Sequence, residues 1–238
     1  MATKKEDKST ATEEKGESMA TEKKEKPKRS AFRELGIAIF LAILIRATFV
    51  QAYHIPSGSM EDTLLEGDYV LGDKLTFGTQ IPDRLPFFNT KLPSFRLPGF
   101  SDPGPGDLVI FEFPEDASRD FIKRCVASAG QTVEIKDKVL YVDGKPFENP
   151  PGVKHEDPRV WGGQYQPRDN YGPYRVPPGH IFVMGDNRDS SYDSRFWGPV
   201  PLEKVKAHPL FIYYSWDSTK PLWNVFAKIR WGRLGLLN

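Results

Sequence analysis

A chain of 238 residues, 39% hydrophobic and 27% charged, is long enough for one or two domains with a real core, and its net charge of +1 argues against a nucleic acid as partner. The single cysteine, Cys125, excludes an internal disulfide, and four scattered histidines (His54, His155, His180, His208) predict neither a metal site nor any other cofactor. With 21 prolines and 20 glycines, short strands and turns are favoured over a helical bundle.

Residues 1–34 consist largely of Lys, Glu, Thr and Ser. They carry too little apolar surface to offset the entropy of ordering and are expected to form a disordered, charged tail. Leu35 to Ile45, then Arg46, then a second apolar piece from Ala47 to Tyr53, predict a transmembrane helix over 35–53. At ~1.5 Å per residue it is about 28 Å long, close to the hydrocarbon thickness. Arg46 makes the span marginal unless its stem carries the guanidinium out to the headgroups. A buried core helix would leave the Lys-rich flank unexplained. A cleaved secretory signal, suggested by Val50-Gln51-Ala52, would need an unusually long leading region. A retained single-span anchor is the reading adopted. Lys23, Lys24, Lys26, Lys28, Arg29 and Arg33 precede the span, and no Lys or Arg lies between Arg46 and Lys74. That bias puts the N-terminus in the cytoplasm and residues 54–238 outside.

Beyond the span, short alternating runs predict strands over Asp68–Leu71, Asp107–Phe113, Asp120–Ala127, Thr132–Ile135, Val139–Val142, His180–Met184 and Leu210–Trp216. The pair Asp143-Gly144 supports positive φ in a tight hairpin. The fold class expected is mostly β. Two Pro-rich stretches, 77–105 and 149–178, read as surface loops or a small subdomain.

Three segments are candidates for chemistry. In Ile55-Pro56-Ser57-Gly58-Ser59-Met60, Ser59 followed by Asp62 reads as a helix cap at least as readily as a nucleophile. A serine nucleophile also needs a base. Histidine is one choice; Lys123 is the better one. On a strand it shares a face with Phe121 and Cys125, with Arg124 opposite, and an apolar face lowers a lysine pKa toward the range of a general base. A snorkelling or carboxylate-paired lysine is the plain alternative. The stretch from Gly185 to Arg195 reads as a solvated turn, or as a source of hydrogen bonds that hold a catalytic lysine; it lacks the calcium-loop spacing.

In order along the chain, the apolar span, Pro56-Ser57-Gly58-Ser59-Met60, Gly106-Asp107 to Phe111, Phe121-Ile122-Lys123-Arg124 and the block Gly185 to Arg195 resemble bacterial type I signal peptidases. The resemblance covers roughly 35–238 apart from the two Pro-rich stretches. It implies a β-rich catalytic core with a smaller β insertion and an endopeptidase that removes signal peptides from exported preproteins after small residues. By the same resemblance Ser59 is the nucleophile and Lys123 the general base. Ser57 is the oxyanion donor, Ser191 orients the lysine, and Asp186, Asp193, Arg195 and Arg124 brace the site by ion pairing. Small-residue pockets are expected from Ile55, Met60, Leu64 and Phe121 at the cut and from Tyr53 and Ile122 two residues upstream. The expected partners are preprotein signal peptides and the lipid bilayer of the bacterial cytoplasmic membrane, with the enzyme acting as a monomer. Two positions depart from the family pattern: Asp62, where proline is frequent, and Ser190, where asparagine is frequent. Trp216, Trp223 and Trp231, with Lys228, Arg230 and Arg233, either pack normally or touch the outer leaflet. The reading of a different class is a membrane-tethered β-rich binding module without activity.

Overall fold

The structure, a computed structural model, describes residues 28–78, 98–164, 166–221, 223 and 225–237. The tail over 1–27 and residues 79–97 of the first Pro-rich stretch lie outside them. The chain divides into two units, residues 1–40 and 41–238.

The expected helix over 35–53 is corrected at both ends. Helix α1 runs Lys28–Thr48, so residues 28–34 are helical rather than tail, and Val50–His54 is strand β1. The cause is the partner strand. Val50 to His54 pair antiparallel with β2 (Asp68–Asp73), which satisfies their backbone groups in a sheet and suits β-branched and aromatic side chains. The apolar run left to α1, Leu35 to Ile45, is bounded by Glu34 and Arg46 and is about 16 Å long. No helix among the described residues is long and apolar enough to cross a membrane. The α1 side chains Phe32, Leu35, Ile37, Ile39, Phe40, Leu41, Ile43, Leu44 and Ile45 are nonetheless exposed.

The remaining strands are β3 (Leu108–Phe113), β4 (Asp116–Ser128), β5 (Thr132–Lys136), β6 (Val139–Val142), β7 (Lys145–Pro146), β8 (Tyr171–Arg175), β9 (His180–Met184), β10 (Val200–Pro201), β11 (Val205–Ser215) and β12 (Gly235–Leu236). Short helices α2 (Ser194–Trp197) and α3 (Val225–Lys228) complete the set. The larger sheet has the order β1-β2-β11-β3-β4-β9-β10, with β12 on β11; the smaller has the order β7-β6-β5-β8. The fold is β-rich with few helices, as read from sequence. Asp143 and Gly144 take positive φ, at 51° and 75°, in the turn between β6 and β7.

Two strands differ from expectation for identifiable reasons. Strand β11 begins five residues early because Pro209, which cannot donate to a ladder, sits at a register shift rather than at a boundary. Strand β8 lies inside the stretch read as loop: Gly172 and Pro173 mask it, yet Thr132, Val133 and Ile135 pair with it. The smaller sheet is therefore drawn from residues 132–175.

Three apolar clusters hold the domain. One packs Val109, Phe111, Cys125, Ile181, Val183 and Val205 within the larger sheet. A second joins Val126, Phe182 and Met184 to Val133, Ile135, Leu140 and Val176 of the smaller sheet and its flank. The third, Ile55, Met60, Leu64, Val70, Leu108 and Ile212, anchors the loop between β1 and β2.

Candidate active site

The loop from Ile55 to Gly67 carries Ser57 and Ser59. Its two ends meet, since Ile55 N donates to Asp68 O and Gly67 N to Ile55 O, both at 2.9 Å. Met60 and Leu64 are fully buried between these ends and fix the turn from inside. Residues Gly58–Met60 form a single 3₁₀ turn, preceded by Ser57 in extended conformation with no side-chain cap bond. Ser59 thus caps no helix, and its hydroxyl is free for another partner.

That partner is Lys123. In β4, Lys123 is in register with Val109 of β3, and it is 4% exposed. Its Nζ lies 2.7 Å from Ser59 Oγ and 3.1 Å from the Ile122 carbonyl oxygen. The Phe121 ring centroid is 5.3 Å from the same nitrogen. Burial is the main reason its pKa falls from 10.5 to about 8; the carboxylates of Asp193 and Asp186 oppose the fall and Arg195 adds to it.

The block between β9 and α2 surrounds the pair. The buried Asp186 carboxylate accepts two bonds from Arg124, at 2.8 and 2.6 Å, and one from Thr63 Oγ1 at 2.6 Å. Asp193 accepts from Arg195 Nε and Nη2, both at 2.8 Å, and from Gly185 N at 3.0 Å. Arg195 also donates to the carbonyls of Arg168 and Arg188, both at 2.7 Å. Asn187 N donates to Ser59 O at 3.2 Å, which ties this block to the serine turn. Gly185 has no room for a side chain, because a Cβ there would collide with Ser191 Oγ and Ser59 O.

A cavity of about 740 Å³ opens over Ser59 and Lys123. Of the residues expected to form pockets, Tyr53, Ile55, Phe121 and Ile122 line it, and Ser57, the expected oxyanion donor, lines it too. Met60 and Leu64 do not: both are fully buried in the core, where they pack with Val70, Leu108 and Ile212. The expected bond from Ser191 to Lys123 is absent. Ser191 Oγ is buried without a hydrogen-bond partner, close enough to Asp193 to favour the ionised carboxylate, and the second acceptor for Lys123 is a backbone carbonyl instead. Asp62 is exposed, 3.6 Å from Lys154, and Ser190 donates to Glu156. Cys125 is core, its thiol pushed up to about 12 chiefly by burial.

Several contributors escaped the sequence reading. Thr63 joins the serine turn to Asp186, a role that only the fold reveals. Arg188 sits in the polar block yet is 1% exposed, its Nη1 and Nη2 unpartnered, its pKa lowered to about 10 mainly by burial. From the C-terminal segment, Arg233 donates to Thr63 O at 2.9 Å and pairs with Asp68 at 2.7 Å. The basic residues there are therefore partly structural, whereas Trp223 and Trp231 are exposed. Among the described residues no group of three His, Cys, Asp or Glu side chains is arranged to hold a metal ion.

A buried amine of lowered pKa held against a serine hydroxyl beside an open cleft is an arrangement suited to acyl transfer. The profile of the family described as signal peptidase, peptidase S26, matches residues 28–214. A signal peptidase I of Pseudomonas aeruginosa is 33% identical over 210 residues, covering 76% of this chain and 71% of that protein. A probable signal peptidase I-1 of Synechocystis sp. is 33% identical, with 84% of each chain covered. A signal peptidase I of Aquifex aeolicus is 32% identical, covering 79% of this chain and 84% of that one.

Proposed function

This chain belongs to the signal peptidase family, peptidase S26, and is a peptidase that removes signal peptides from preproteins; we propose that it does so with Ser59 as nucleophile and Lys123 as general base. The observation that carries this reading is the 2.7 Å approach of Lys123 Nζ to Ser59 Oγ with the amine buried.

In the proposed sequence, neutral Lys123 takes the Ser59 proton as Oγ attacks the carbonyl carbon of the last signal-peptide residue. The tetrahedral oxyanion accepts hydrogen bonds from the Ser57 hydroxyl and the Ser59 backbone N–H, a kind of contact worth about 2.7–4 kcal/mol per donor. Lys123 returns the proton to the departing amine, and the mature protein leaves with a new N-terminus. Water, deprotonated by the same lysine, then attacks the acyl-enzyme and frees the signal peptide. Ile55 and Phe121 wall the site for the residue at the cut, and Tyr53 and Ile122 the site two residues upstream. The outer edge of β4 over residues 116–123 supports this, since β9 pairs only from Arg124 onward and no other strand among the described residues pairs with that edge, where an extended peptide could add.

Preprotein processing by Ser59→Ala and Lys123→Ala tests the pair. Both are expected to lose essentially all activity; near wild-type cleavage by either would remove its residue from the chemistry. For the N-terminal helix we infer attachment to the bilayer through the exposed apolar side chains of α1, with the Lys- and Arg-rich flank on the cytoplasmic side.

A further inference from the structure

Ser59 and Lys123 stand on unequal supports. Lys123 belongs to β4, where the next residue, Arg124, is paired on both sides, with Leu108 of β3 and Met184 of β9. Ser59 sits on a loop, so the 2.7 Å approach of its hydroxyl to the amine depends on what holds that loop to the sheet. Met60 and Leu64 anchor the loop through apolar packing, which is non-directional. A directional tie comes from Thr63. Its hydroxyl does not turn back on its own backbone, as threonine hydroxyls in turns commonly do, but donates to Asp186 Oδ2 at 2.6 Å. The same oxygen accepts from Arg124 Nη2 at 2.6 Å, and Asp186 Oδ1 accepts from Arg124 Nε at 2.8 Å. One buried carboxylate thus joins the loop that carries Ser59 to the residue next to Lys123.

Two further segments close on Thr63. Arg233 donates to its carbonyl oxygen at 2.9 Å, and a Cβ on Gly152 would lie 2.7 Å from its Oγ1. The hydroxyl is therefore held between Gly152 and Asp186. We propose that Thr63 is a positioning residue whose hydroxyl, through Asp186 and Arg124, sets the distance between Ser59 and Lys123. A valine would fill nearly the same space, yet it would leave Asp186 Oδ2 to Arg124 alone and free the loop to shift. The inference rests on the Ser59/Lys123 reading and adds to it how the geometry of the pair is kept.

The test compares Thr63→Val, Thr63→Ser and the wild type on one preprotein, with the full chain in detergent micelles. Misplacing reacting groups by about 1 Å costs on the order of a hundredfold in rate. Thr63→Val should therefore lose between about tenfold and a hundredfold in kcat, with KM within about twofold of wild type. Thr63→Ser, which keeps the hydroxyl, should hold kcat within about threefold of wild type. Urea unfolding of each protein gives the folded fraction under the assay conditions. Wild-type kcat in Thr63→Val, a loss confined to KM, an equal loss in Thr63→Ser, or a kcat loss no larger than the unfolded fraction each overturns the proposal. Thr63→Ala removes the same hydroxyl without the valine's bulk, and the same outcomes decide should valine not be accommodated beside Gly152. Ser59→Ala separates the two readings. If it still processes the preprotein, the catalytic assignment fails; if it is inactive and Thr63→Val keeps wild-type kcat, only the positioning role fails.

Discussion

Lys123→Met exchanges a buried amine for an apolar side chain of similar length, and its effect on stability should depend on pH in a defined way. In the folded chain the Lys123 pKa is about 8, against 10.5 for an exposed lysine. At about 1.36 kcal/mol per pKa unit, the charged form costs about 3 kcal/mol on folding. The sign follows from proton counting. Below pH 8 both states hold the proton and the full cost is present. Between pH 8 and 10.5 the unfolded chain binds more protons than the folded one, so wild-type stability rises with pH. Above 10.5 neither state is charged and the cost is gone. Lys123→Met lacks this dependence, and other titrating groups cancel in the comparison. Urea unfolding of both proteins from pH 7 to 10 should show wild type gaining on the variant by most of that ~3 kcal/mol. The same group should govern the rate. Wild-type kcat/KM on a preprotein should rise about tenfold per pH unit up to about pH 8, then level, because only neutral Lys123 accepts the serine proton. A stability difference that stays flat over this range, or an acid limb extending beyond pH 10, would refute the assignment of a depressed pKa to Lys123.

Ser57→Ala should lower kcat by about 10²–10³ with little change in KM, as expected for a donor that bonds only the oxyanion; steady-state kinetics showing a loss confined to KM would instead make Ser57 a ground-state contact. For α1, protease added to sealed inverted membrane vesicles should remove the Lys-rich flank and spare the domain beginning at β1, whereas digestion of that domain would reverse the orientation.

The strands were legible where residues face a core and alternate, as in β3, β4, β6 and β9. They were not legible where local chemistry contradicts the pairing. Gly172 and Pro173 argue against a strand by every local criterion, yet the edge position of β8 tolerates them. The end of the N-terminal helix failed for a similar reason. Val50, Ala52 and Tyr53 prolong the apolar character of the helix before them, and only the pairing with β2 decides that they leave it. Met60 and Leu64 show the limit at the site. An apolar residue beside a candidate serine is either cavity wall or foundation, and only the packing of the loop on Ile55, Val70, Leu108 and Ile212 decides between them.

The polar block from Gly185 to Arg195 illustrates what the sequence could not rank. Its residues look like a solvated turn, yet Asp186, Asn187, Arg188 and Asp193 are almost wholly buried. Two buried carboxylates near a lysine would normally hold it protonated, and here both do raise the Lys123 pKa. Each is bound by its own guanidinium, Arg124 on Asp186 and Arg195 on Asp193, and Arg188 adds a third positive charge against the same two carboxylates. Arg195 offsets part of the pull of the carboxylates on the amine, and burial, the largest influence, decides the outcome. Arg195 thus contributes to more than the rigidity of the loop: it works with burial, against the two aspartates, to bring the Lys123 pKa down to about 8.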